Sequence, residues 1–208
     1  MTRSFSNSKL RSAVDIAVRI MAAVVWNMAP FGRRVAVVSW KFCAPYRVDL
    51  TVRQKALTNG DSTVKDMNRT VVFKVKGFFP YRRVLLESPG NSLVSMQKKM
   101  MSVNSRWRVY RGDSSNSKDL LFSVKKSSPM QFKTELHVFL AANTNEKACD
   151  FKIKGSYFAR SCTIYFGESK TIIAQMSRQD KVRVTVHPNV DYAFVVALIV
   201  IFDEINRE

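Results

Sequence analysis

From Tyr192 to Phe202 the chain offers water no face at all. Tyr192-Ala193-Phe194-Val195-Val196-Ala197-Leu198-Ile199-Val200-Ile201-Phe202 is apolar at every position. A segment hydrophobic all round must be enclosed. As a helix the run rises ~17 Å, at about 1.5 Å per residue, well short of a ~30 Å bilayer core. Asp191 suits the positive end of a helix dipole, with Pro188 just outside it. Val195, Val196, Ile199, Val200 and Ile201 are β-branched and also suit a buried strand. The continuation to Ile205 is long for a strand and ordinary for a helix. The expectation is a helix buried on every side, and such a helix needs a closed wall.

The rest of the chain supplies one. Between Val35 and Val186 helical periodicity is absent, and short apolar–polar alternations are punctuated by turn residues. Strands are predicted near 47–54, 62–66, 71–76, 83–87, 92–100, 105–111, 119–126, 132–141, 149–156, 159–166, 171–177 and 181–187, the spacing of an all-β sandwich or barrel. Turns are marked by Asn59-Gly60, Gly77 with Pro80, Pro89-Gly90, Gly112 to Asn116, Asn143 to Glu146, and Gly167. Phe73-Lys74-Val75-Lys76-Gly77 returns as Phe151-Lys152-Ile153-Lys154-Gly155. Alternation sends Phe73 and Val75 to one side and the lysines to the other, as a barrel with a filled interior and a basic exterior requires. Trp107 alternates with Arg106 and Arg108, which assigns it to the core rather than to base stacking.

Ahead of this domain, residues 1–34 read as an extension. Leu10, Val14, Val18, Met21, Val25 and Met28 recur at helical steps with Arg11, Asp15 and Arg19 opposite. A membrane-surface helix, a targeting presequence and a plain packed or unstructured extension all stay open.

Chemistry is sparse. Three cysteines (Cys43, Cys149, Cys162) at wide spacings form neither a disulfide framework nor a zinc pattern, and a reducing compartment is the default. His137 and His187 stand alone in strand-like surroundings, and no nucleophile elbow, P-loop, dinucleotide fingerprint or metalloprotease motif occurs. Asp203 and Glu204, at the end of the apolar run, read as solvated or paired with nearby basic side chains. No catalytic residue, metal site or cofactor is expected, and no run reaches transmembrane length.

The formal charge of +18 is the stronger signal. It favours anionic partners, namely acidic membrane lipids, phosphoinositides or nucleic acid. Lys74, Lys76, Arg82, Arg83, Lys98, Lys99, Lys125, Lys126, Lys152 and Lys154 fall on or beside predicted strands and are the candidate phosphate-binding residues. Whether they converge on one wall or coat the exterior evenly is not readable in one dimension.

Several strings together resemble the plant LURP-one-related family. They are Phe42-Cys43-Ala44-Pro45-Tyr46, Arg106-Trp107 with Tyr110-Arg111-Gly112, Leu121 to Ser128, Cys149 to Tyr157, Arg160-Ser161-Cys162, Ile173-Ala174-Gln175-Met176 and Val186 to Phe194. The resemblance spans roughly 41–206. It implies a mainly β, tubby-like fold shared with phospholipid scramblases: a closed antiparallel barrel of about twelve strands around a central hydrophobic C-terminal helix. It also implies a non-catalytic protein related to membrane-tethered transcription regulators, with a namesake linked to plant pathogen defence. Tubby proteins bind phosphoinositides through basic barrel residues. The expected location is the cytoplasmic face of the plasma membrane, with nuclear DNA binding and scramblase-like lipid activity as the alternatives. Residues 1–40 depart from the usual lead-in, Arg69 stands where the family tends to have a turn glycine, and the connection from Ser177 to Lys181 is short.

Overall fold

The structure, a computed structural model, describes residues 34–54, 61–78, 81–99, 106–127, 134–156, 161–178 and 181–207. The amphipathic stretch before Arg34 lies outside them, as do the expected turns at Asn59-Gly60 and Pro80. Among the described residues the chain forms β1 (Val48–Gln54), β2 (Ser62–Lys65), β3 (Val71–Phe78), β4 (Arg82–Glu87), β5 (Ser92–Lys99), β6 (Arg106–Arg111), β7 (Leu120–Lys126), β8 (Thr134–Leu140), β9 (Phe151–Ser156), β10 (Ser161–Phe166), β11 (Ile172–Arg178), β12 (Val182–Val186) and one long helix, α1 (Tyr192–Ile205).

Each strand pairs antiparallel with its sequence neighbour, and β12 returns to β1 in register Val48↔Val186 to Val52↔Val182. The sheet is therefore closed and has no edge to protect. Register shifts at Val64/Lys65, Leu85/Leu86, Val109/Tyr110 and Ile164/Tyr165 place local bends where a flat ribbon would fail to curl. The two lookalike segments are β3 and β9. Phe73, Val75, Phe151 and Ile153 point inward and are buried, while Lys74, Lys76 and Lys154 are exposed.

Helix α1 threads the barrel, with Ala193 to Ile199, Ile201, Phe202 and Ile205 buried against the inward side chains. Each enclosed Val, Leu, Ile or Phe contributes about 1.5–3 kcal/mol. Phe194 meets Phe122 and Phe151 at centroid distances of 5.0 and 4.9 Å, locking the first turn of α1 between β7 and β9. Trp107 is buried in the same core.

Asp191 starts the helix and does more than cap it. One carboxylate oxygen accepts from Ala193 and Phe194 N–H, both at 3.0 Å. The other accepts from Val37, Val38 and Ser39 N–H at 3.1, 2.7 and 3.0 Å. Residues 34–43 thus form a strap across this end of the barrel, with bridges Val35↔Val190 and Cys43↔Asp191. Burial pushes the Asp191 carboxyl above its ordinary range, against the downward pull of those backbone donors.

At the far end α1 is tied by Arg83, whose guanidinium grips Glu204 at 3.1 and 2.7 Å. Asp203 bonds Arg207. Both acids are therefore paired with basic side chains. No described helix is long and apolar enough to cross a membrane.

Candidate functional site: a basic groove on the closure wall

The barrel closes where β1 meets β12, and the exterior of that wall carries a cluster of basic side chains. Leu50, Val52, Val184 and Val186 are buried inward, so strand alternation turns Asp49, Thr51, Arg53, Arg183 and Thr185 outward. Register then aligns Ser177, Arg183, Thr51 and Lys65 in one row across β11, β12, β1 and β2. At about 4.8 Å between strands such a row spans ~14 Å.

These residues line a groove of ≈ 710 Å³ together with Arg47, Asp66, Met67, Arg69 and Lys181. Six cations (Arg47, Arg53, Lys65, Arg69, Lys181, Arg183) face two acids, Asp49 and Asp66. Both acids are already engaged. Asp49 accepts from Arg47 Nε at 3.0 Å and Thr185 Oγ1 at 2.6 Å, and Asp66 accepts the Thr70 N–H at 2.8 Å. Arg53, Lys65, Arg69, Lys181 and Arg183 make no ion pair among the described residues. A concave wall lined by one sign of charge concentrates its field on an anion.

Arg69 is held there at a cost. Its φ is +64°, in the left-handed region that disfavours a side chain by about 1 kcal/mol. The turn is fixed by the Asp66 N–H to Thr70 carbonyl bond at 3.0 Å and the Arg69 N–H to Asp66 carbonyl bond at 3.1 Å. The position where the resemblance leads one to expect glycine instead presents a guanidinium to the groove.

The ten basic residues singled out from sequence are not gathered on one wall. Lys74 and Lys76 lie on β3, beside the groove, exposed and without ion pairs among the described residues. Arg82 bonds Asp113, and Arg83 turns inward to Glu204. Lys98 has its ammonium over the Tyr81 ring at 5.6 Å, and Lys99 and Lys126 close β5 and β7.

Lys125, Lys152 and Lys154 sit on the opposite side and are neutralised there. Glu146 takes Arg106 at 2.7 Å and Lys125 at 3.0 Å, and these partners hold its carboxyl down at about 2. Lys152 bonds Glu168, while Lys154 reaches Glu135 at 3.1 Å. His137 contacts the same Glu135 at 3.0 Å. Burial alone would raise Glu135, but the His137 and Lys154 contacts leave it lowered.

Sequence reasoning missed Arg47, Arg53, Lys65, Arg69, Lys181 and Arg183. A signal did exist: Val48–Gln54 and Val182–Val186 each carry an arginine in phase with outward polar residues. What the chain does not advertise is that its first and last strands are neighbours.

The three thiols are buried. Burial pushes Cys43 up to about 11, and Cys149 and Cys162 up to about 12, so all are protonated at neutral pH.

Comparison with known proteins accords with this architecture. The LURP-one-related family model matches residues 48–203. "Protein LURP-one-related 15" of Arabidopsis thaliana is 46% identical over 188 residues, covering 83% of this chain and 86% of that protein. "Protein LURP1" of the same plant is 40% identical over 186 residues, covering 82% and 90%. An X-ray structure of an Arabidopsis thaliana protein, 42% identical, superposes with a TM-score of 0.69 over 82% of this chain and 98% of its own. A barrel sealed around its own C-terminal helix, with these likenesses over nearly all of that barrel, leads to one conclusion: the chain belongs to the LURP-one-related family.

Proposed function

We propose that this protein is a non-catalytic binding module whose closure-wall groove takes the phosphates of anionic membrane lipids, phosphoinositides foremost, at the cytoplasmic face of a membrane. The observation that carries the reading is the groove itself, with six cations against two engaged acids around ≈ 710 Å³. That volume is within the range of small-ligand sites, about 300–1,000 Å³. Arginine forks and lysine ammonium groups at its walls match phosphate oxygens in geometry and charge. The buried, protonated thiols support a binding role over covalent catalysis. The tubby-like resemblance supports a regulator held at a membrane by such contacts.

Vesicle sedimentation tests it. The protein is expected to partition onto phosphatidylcholine vesicles containing phosphatidylinositol bisphosphate and not onto phosphatidylcholine alone, with binding weakened by added salt. Arg53→Ala with Arg183→Ala should lower that partitioning by about tenfold or more, at ~1 kcal/mol per basic residue near the surface. Lys152→Ala with Lys154→Ala, on the neutralised side, should leave it within about twofold. Equal partitioning onto both vesicles overturns the proposal, as does tighter, sequence-independent binding to duplex DNA under the same salt.

A further inference from the structure

The most exposed large hydrophobic side chains among the described residues are Met67, Trp40 and Tyr46, at 75%, 71% and 67%. All three stand at one end of the barrel, where α1 begins. Met67 is in the turn after β2 and lines the groove. Tyr46 immediately precedes Arg47, which lines it too. Trp40 opens the short 3₁₀ turn Trp40–Phe42 in the strap. At the other end, the exposed rings of Phe78 and Tyr81 lie under Arg82 and Lys98.

The strap that carries Trp40 and the short link from Ala44 to Tyr46 that follows it are pinned. Asp191 holds the Ser39 N–H at 3.0 Å, and the Ala44 carbonyl accepts the Asn189 N–H at 2.6 Å. Phe42, between them, packs edge-on against Phe73 and Tyr192 at 5.4 and 5.3 Å. The backbone that bears these two large amphipathic rings is therefore held in place, and little further backbone ordering entropy is lost when they are buried. Lys41 and Arg47 flank them, paired with Glu87 at 2.7 Å and Asp49 at 2.9 Å but with 45% and 66% of their side chains still exposed.

We infer that the α1-start end of the barrel beds into the interfacial layer of an anionic bilayer, with Trp40 and Tyr46 as anchors and Met67 as the apolar rim of the headgroup groove. This rests on the reading of the groove as a lipid-headgroup site. Tryptophan and tyrosine settle at the headgroup level because an apolar ring and a polar tip are both satisfied there. Cations beside them face the lipid phosphates. One approach thus loads the groove and buries the rings. A soluble polyanion would engage the cations and leave the rings wet.

The test uses the full chain in a Trp26→Phe background, so that Trp40 and the core Trp107 report. On phosphatidylcholine vesicles containing phosphatidylinositol bisphosphate, Trp40 emission should shift blue and be quenched by phosphatidylcholine brominated high on its acyl chains. A Trp40→Phe control should lose that response. Trp40→Ala with Tyr46→Ala should cut vesicle partitioning by about tenfold while leaving affinity for soluble inositol trisphosphate unchanged. Both side chains are exposed, so the melting temperature should hold. Unchanged partitioning together with an unquenched Trp40 overturns the inference and leaves the groove reading standing. Loss of trisphosphate affinity in the double variant overturns it as well, because the rings would then belong to the groove. Failure of the native protein to bind either probe overturns both.

Discussion

Asp191 gathers five backbone N–H groups, two from the helix it starts and three from a strap more than 150 residues away. An ordinary N-cap substitution costs about 0.5–2 kcal/mol, and each further buried donor left unpaired adds about 1–3 kcal/mol. Asp191→Ala is therefore expected to lower the unfolding free energy by more than about 3 kcal/mol, measured by urea denaturation. Asp191→Asn, which keeps one acceptor oxygen, should cost clearly less. A cost for alanine within the ordinary cap range would refute the double role. Half of that role was legible beforehand, since an acid one residue ahead of an apolar run reads as a cap. The strap half was not, because nothing local ties Val37, Val38 and Ser39 to a residue so distant.

At the level of elements, alternation located the strands well: Phe73 and Val75 against Lys74 and Lys76 is enough to orient β3. The helix was legible from its lack of a polar face. Closeness of packing was not. Gly155 has the same place in β9 that Gly77 has in β3, yet its reason lies across the core. A Cβ there would overlap the Phe202 ring and come within 2.8 Å of Cys162 Cβ. Gly155→Ala should destabilise the fold by about 1–3 kcal/mol through overpacking. Pairing it with Phe202→Leu should recover part of that loss. An alanine variant as stable as the native protein in thermal melts would mean the ring moves freely, contrary to its burial at 3% exposure.

Across the whole molecule the positive charge divides into two kinds. On the β6–β9 side Arg106, Lys125, Lys152 and Lys154 are paired with Glu135, Glu146 and Glu168, and on the closure wall Arg53, Lys65, Arg69, Lys181 and Arg183 make no ion pair among the described residues. This division separates paired from unpaired basic residues, and it depends on which loop acids fold back over which strands. Glu146 reaches Arg106 across 40 residues, so a one-dimensional list of lysines could not anticipate it.

The division also fixes an acid response. Glu146 has a folded value of about 2 against an ordinary 4.5. Its contribution to stability is complete above about 4.5 and is lost as the pH falls toward 2. Denaturation followed over that window should therefore show stability falling with acid, and Glu146→Gln should flatten the slope. An unchanged slope in the variant would show that the network adds nothing.

The arrangement of the closed barrel also bears on how the protein is made. Its innermost lining is the last fourteen-residue element of the chain, and its final strand must find the first before the wall can shut. Translation therefore delivers every hairpin before anything exists for them to wrap, and the nascent sheet waits with its greasy side uncovered. A product that stops just ahead of Tyr192 would carry all twelve strands and still be unable to settle into this shape. For this architecture the segment from Tyr192 to Ile205 is a precondition of a closed, filled barrel.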